Sequence, residues 1–137
     1  MELATTTTAT TATTAKIVLA IVGSRGFNDY ARLCRELFKL FPQPTEQISK
    51  VVSGGANGAD KLGVRWANEQ GIASKEFIPE WKRRDGSTNR GAGLQRNTDI
   101  IEAADVVVAF WSGISPGTRD SIEKATARNK VVHVVKV

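Results

Sequence analysis

Cysteine, histidine, methionine and tyrosine each occur once in the 137 residues, and proline four times. A lone cysteine excludes an internal disulfide framework, and one Cys with one His cannot build a Cys/His zinc site; no metal is expected. No apolar run reaches 18 residues, so neither a membrane-spanning helix nor a membrane partner is expected. The G-x-x-x-x-G-K-[ST] loop of P-loop triphosphatases is missing as well. Gly91-Ala92-Gly93-Leu94-Gln95-Arg96 opens like G-x-G-x-x-G, yet it follows a polar loop rather than a strand and lacks the third glycine. It is not a dinucleotide motif, and no cofactor is expected.

What is present is the balance of an ordinary globular chain, 41% hydrophobic and 24% charged, with room for one domain. Residues 1–15 stand apart. They hold eight threonines and a single charge, too little apolar surface to offset the entropy of ordering, and are read as a disordered Thr/Ala-rich tail. The segment has neither the basic start and apolar stretch of a signal peptide nor the arginines of a transit peptide, so a cytoplasmic location is expected. The net charge of the whole is +5. Residues 16–137, read as the folded domain, keep all 19 basic groups and lose only Glu2 among the acids, so the fold is more basic than the chain.

Lys16–Val22 is a continuous β-branched run, the mark of a strand buried on both faces. Tyr30, Leu33, Cys34, Leu37, Phe38 and Phe41 then recur at helical spacing, with Asn28 or Asp29 as cap and Pro42 and Pro44 as the end. Strands are predicted at 48–53, 72–78, 106–110 and 131–137. Helices are predicted over 62–70, 92–103 and from about 118 to 130, and residues 79–91 read as a long polar loop. Strands alternating with helices imply right-handed crossovers and a three-layer, Rossmann-like α/β sandwich with a five-stranded, mainly parallel sheet.

In such sheets ligands bind beyond the carboxyl ends of the strands. Three of these ends carry Gly-rich turns: Gly23-Ser24-Arg25-Gly26, Ser53-Gly54-Gly55-Ala56 running on to Asp60, and Trp111-Ser112-Gly113 continuing through Ser115 to Gly117-Thr118. Glycine lets backbone N–H groups approach a ligand, and the helix N-terminus behind each turn adds partial positive charge. Arg25 supplies a planar fork suited to phosphate. Any tight strand-to-helix turn needs glycine, but three at one sheet edge point to a pocket for a phosphate-bearing small molecule.

These motifs occur together as GSRGF, VVSGGANGAD, GAGLQRN and ADVVVAFWSGISPGT, and they resemble those of the SLOG superfamily (SMF/DprA–LOG), in particular its small single-domain YspA/cpYpsA-related branch. The resemblance covers nearly all of residues 16–137. It implies a Rossmann-like fold, binding of nucleotides or nucleotide-derived ligands, and self-association, for which the first helix with Phe38 and Phe41 offers an apolar surface. The LOG-type members are phosphoribohydrolases that use an M-x-x-R-K arginine and a P-G-G-x-G-T-x-x-E glutamate. Arg96 and Gly117-Thr118 match those motifs, but the glutamate position is Ser121 here. Glycosidic cleavage calls for a carboxylate near the ribose, so Asp60 and Asp120 join Arg96 as catalytic candidates. On a helix Asp120 is turned about 100° from Ser121.

The remaining candidates carry two readings each. Arg96 and Asn97 serve a ligand or a buried partner, and Asp60 either faces the pocket or caps its helix. Trp81 and Trp111 stack on a base or pack in an interface; Trp66, on an apolar stripe, is core. Residues 79–97 carry five basic and two acidic groups beside the predicted pocket. The leading expectation is a sensor, carrier or sequestering protein for a nucleotide-derived ligand, in a conflict/defence or stress-signalling setting. The alternatives are a LOG-like hydrolase of nucleoside monophosphates and DprA-like single-stranded nucleic-acid binding.

Overall fold

The computed structural model describes residues 15–137; the expected tail over residues 1–15 therefore lies outside them, save Ala15. Five strands, β1 (Ile17–Gly23), β2 (Ile48–Ser53), β3 (Ala73–Glu76), β4 (Val106–Trp111) and β5 (Val131–Lys136), form one sheet in the order β3-β2-β1-β4-β5. Every neighbouring pair is parallel. The helices are α1 (Tyr30–Leu40), α2 (Pro44–Gln47), α3 (Ala59–Gln70), α4 (Ala92–Ala103) and α5 (Pro116–Ala127).

Alternation along β1 builds the three layers. Leu19 and Ile21 point to one face, where they meet Leu33 and Leu37 of α1 and Trp66 of α3. Ala20 and Val22 point to the other, against Ile100 and Ile101 of α4 and Ala125 of α5. All these side chains are essentially inaccessible, which is why the strand reads as unbroken apolar sequence rather than as alternation. The side chain of Asp29 accepts from the Arg32 N–H at 3.1 Å and so caps α1.

Several expectations change. Pro44 does not merely end α1; it starts α2, where its fixed φ suits the first helical position and its missing N–H costs nothing. β3 is shorter than 72–78 because it is an edge strand whose side chains are mostly exposed. α5 stops at Ala127, and Asn129 at φ 58° turns the chain into β5. Phe41 is 8% exposed and belongs to the core, so it offers no surface for association; Phe38 is 40% exposed and its ring meets Trp66 edge-on. Residues 79–91 are not a featureless loop. Lys82 and Thr88 form an antiparallel bridge, Arg83 and Ser87 share a backbone bond of 2.9 Å, and Gly86 takes a φ of 88° at the turn. The segment is a small hairpin. Among the described residues no helix is long and apolar enough to cross a membrane.

Candidate functional site

The strand order reverses at β1, from which the chain builds first towards β3 and then, through α4, towards β5. At that point the loops after β1 and β4 diverge and a crevice opens. A cavity of about 800 Å³ fills it, a size suited to a small-molecule ligand.

Ser24 joins the first turn to the third. Its N–H donates to the Phe110 carbonyl at 2.9 Å, and its Oγ accepts from the Ser112 N–H at 3.1 Å. Its own carbonyl accepts from Phe27 and Ala59, which draws the start of α3 against the same turn. Gly58, at φ 85°, lies so close to the Ser24 and Arg25 carbonyls that no Cβ would fit. The three turns are thus one packed unit.

Asp60 and Arg96 shape the second turn. The Asp60 carboxylate accepts from the N–H of Gly54 at 3.1 Å and of Ala56 at 3.4 Å. It does not cap α3, whose N-cap is Gly58 and whose start has no side-chain cap. Burial pushes the Asp60 carboxyl up to about 6, against the pull of the Arg96 charge and of backbone N–H donors that favour the ionised form. Arg96 donates Nη1 to the Gly54 carbonyl at 2.6 Å and Nε to Asn97 Oδ1 at 3.1 Å. Gly54 sits between the two charged groups; a Cβ there would stand 2.6 Å from Arg96 Nη1 and 2.7 Å from Asp60 Oδ2.

The third turn leads into α5 with Ser115 at its N-cap and Pro116 at its start, and no side chain caps it. The Ser115 hydroxyl instead pairs with Thr118 Oγ1 at 3.1 Å. The first N–H groups of α5, those of Gly117 and Thr118, therefore remain as donors at the cavity wall, at the positive end of the helix dipole.

The structure brings most of the sequence candidates together. Gly23, Ser24, Arg25, Gly26, Ala56, Asp60, Arg96, Asn97, Ser112, Ser115, Gly117 and Thr118 all line the large cavity. Gly54, Gly55 and Trp81 line a smaller adjoining one of about 330 Å³, to which Arg25, Ala56 and Arg96 also belong. Four candidates line neither cavity. Ser53 is fully buried at the end of β2. Trp111 donates its indole N–H to the Ser115 carbonyl at 3.0 Å, bracing the third turn. Gly113 turns the chain at φ 95°. Asp120 accepts from Asn97 Nδ2 at 3.0 Å and pairs with Lys124 at 2.9 Å, so it ties α4 to α5.

Phe27, Ile100, Ile114 and Ser121, outside the binding residues expected from the sequence, also line the large cavity. Phe27 stacks on Phe110 with ring centroids 5.2 Å apart. Ser121, the place where a glutamate would stand in a LOG motif, is 2% exposed and lines the cavity. Asp60 is consequently the one carboxylate side chain lining the large cavity among the described residues.

Fold and crevice together define a three-layer Rossmann-like domain with its cleft at the topological switch point. The model of the YspA, cpYpsA-related SLOG family (YAcAr) matches residues 17–83, from β1 into the hairpin. Over that stretch, just under half of the chain, the sequence is similar to this YspA, cpYpsA-related SLOG branch. It is 40% identical over 77 residues to the Gene 61 protein of Mycobacterium phage D29, a match covering 55% of this chain and 62% of the phage protein. DNA processing protein A (DprA) from Streptococcus pneumoniae superposes with a TM-score of 0.66 at 18% identity, over 87% of this chain and 50% of that one. The structural-genomics target TM1055 gives 0.60 at 24% identity, over 86% and 72%. DprA from Helicobacter pylori, solved for its single-stranded DNA binding mode, gives 0.53 at 23%, over 86% and 64%. At these identities the three structures share the fold with this chain. The chain spans about half the length of the pneumococcal DprA chain and less than two thirds of the phage protein.

Proposed function

We propose that the domain binds a phosphorylated, nucleotide-derived small molecule in the large cavity, as a sensor, carrier or sequestering protein. The carrying observation is the uncapped start of α5, where Gly117 and Thr118 line the same cavity as Arg25 and Arg96. A helix N-terminus with free donors favours an anion, and guanidinium groups suit phosphate oxygens. The surplus of positive charge supports the attraction of such a ligand. Calorimetric titration with nucleoside mono- and diphosphates, ADP-ribose and cyclic nucleotides tests the reading. Saturable heat supports it, and no binding at millimolar ligand overturns it.

Two observations favour other readings of the site. Asp60, with its raised pKa and its place beside Arg96, is the carboxyl group available in the cavity for N-glycosidic hydrolysis. Release of free base from nucleoside monophosphates would establish that activity. The exposed hairpin, with Lys82, Arg83, Arg84 and Arg90 around Trp81, supports single-stranded nucleic-acid binding, as does the fold shared with two DprA structures. Oligonucleotide affinity that falls steeply with salt would establish that one.

A further inference from the structure

The small cavity is a second compartment with its own chemistry. Its walls are the Gly54-Gly55 backbone on one side and Ile78, Pro79 and Trp81 on the other. Trp81 is 48% exposed and Ile78 64%, large apolar surfaces left open at the mouth of a recess. Trp81 is not loosely held. The Trp81 carbonyl accepts from the Asn89 N–H at 2.6 Å across the base of the hairpin, and the indole's six-membered ring lies against Gly93 at the start of α4, 3.3 Å from where a Cβ would stand. Gly93 leaves the space that the ring occupies. At about 330 Å³ the recess is at the lower limit of ligand pockets, room for one ring system rather than a whole nucleotide.

The two cavities share Arg25, Ala56 and Arg96. Arg96 commits Nη1 and Nε to Gly54 and Asn97, which leaves Nη2 for a ligand at the junction. We propose that the small cavity is a nucleobase subsite. The ring lies on the Trp81 indole, and the anionic part of the ligand passes Arg25 and Arg96 towards the start of α5. A planar ring is what the geometry selects, because an aromatic platform stacks on any base while the recess offers few polar side chains to distinguish one base from another. The inference rests on the phosphate reading above and deepens it. The base can come from a free mononucleotide or from an unpaired residue of a strand, and the shared chemistry is the same.

The test compares AMP, ribose 5-phosphate and a ten-residue oligothymidylate on wild type, Trp81→Ala and Trp81→Phe. Wild type is expected to bind AMP more tightly than ribose 5-phosphate. Trp81→Ala should weaken AMP by about 10-fold, the scale of losing one base stack, and leave ribose 5-phosphate unchanged. Trp81→Phe should recover most of the loss, which separates stacking from a folding defect. If Trp81→Ala weakens the oligonucleotide alone, the base subsite stands and its base comes from a strand. Equal weakening of AMP and ribose 5-phosphate, or no effect on any probe, overturns the subsite while leaving the phosphate reading intact. A wild-type protein that binds none of the three probes overturns this inference, and the phosphate reading falls with it only when the diphosphates, ADP-ribose and cyclic nucleotides also fail to bind.

Discussion

The guanidinium of Arg96 on α4 donates to the carbonyl of Gly54, 42 residues earlier at the end of β2, at 2.6 Å. That contact joins the second turn to the helix behind it and places a cation beside the buried carboxyl of Asp60. Replacing Arg96 with alanine should cost about 2 kcal/mol of stability, the scale of losing a hydrogen bond from a charged donor. It should also weaken phosphate binding at least 10-fold. Arg96→Lys keeps the charge but not the forked geometry, so it should restore little of either. Denaturant melts and calorimetry on both variants measure the two effects.

Asp60 carries a pH signature. Its folded-state value of about 6 lies above the 3.8 of a free side chain, so between about pH 4 and 6 the folded state holds the proton more tightly than the unfolded one. Stability therefore includes a contribution that is present below pH 4 and is lost as pH rises to about 6. The whole span is on the order of 3 kcal/mol. Asp60→Asn should remove this component. Melts of wild type and variant from pH 4 to 7 check it; parallel curves would reject the raised value.

Gly58 and Gly117 should separate packing from binding. At Gly58 a side chain meets both a positive φ of 85° and the backbone of the first turn, so Gly58→Ala should cost at least about 2 kcal/mol. Gly117, in the first turn of α5, has open space where a Cβ would project. Gly117→Ala should keep or raise the melting temperature, since alanine favours helix, while the new methyl group lowers anion affinity at the cavity wall. Thermal melts beside phosphate-ligand titration distinguish the pair.

Ser53 offers a control. Its hydroxyl is fully buried, finds no hydrogen-bond partner among the described residues, and lies outside both cavities. Ser53→Ala should leave ligand affinity unchanged and stability equal or higher by up to about 1 kcal/mol, since an unsatisfied buried hydroxyl is removed. A loss of affinity would place Ser53 in the site after all.

The large cavity was legible from Gly23-Ser24-Arg25-Gly26 and from Ser112 to Thr118, because strand-end turns of a parallel sheet must meet at one edge. Trp111 was not legible as a brace: an indole beside a Gly-rich turn reads equally as a stacking platform, and the Ser115 carbonyl that claims its N–H is fixed only by the loop's path. Asp60 reads from the sequence as a pocket residue or a helix cap, since a carboxylate just inside a helix start commonly serves that end. Its side chain turns back to Gly54 and Ala56 instead. Phe41 lies on the apolar stripe that offers a surface for association, yet periodicity does not say which apolar residues the rest of the chain covers.

By itself the sequence determined the layers. Runs such as KIVLAIV have no stable place except between two helical faces, and their alternation with amphipathic segments imposes parallel strands and right-handed crossovers. Which of the residues at the strand ends share a wall was decided only in three dimensions. Arg96 and Gly54, Ser24 and Ser112, and Asn97 and Asp120 are 42, 88 and 23 residues apart in the chain. Their meeting depends on the strand order β3-β2-β1-β4-β5 and on helix rotations about those strands. Local propensity carries no record of such distances, because each contact is fixed by the packing of the whole sheet.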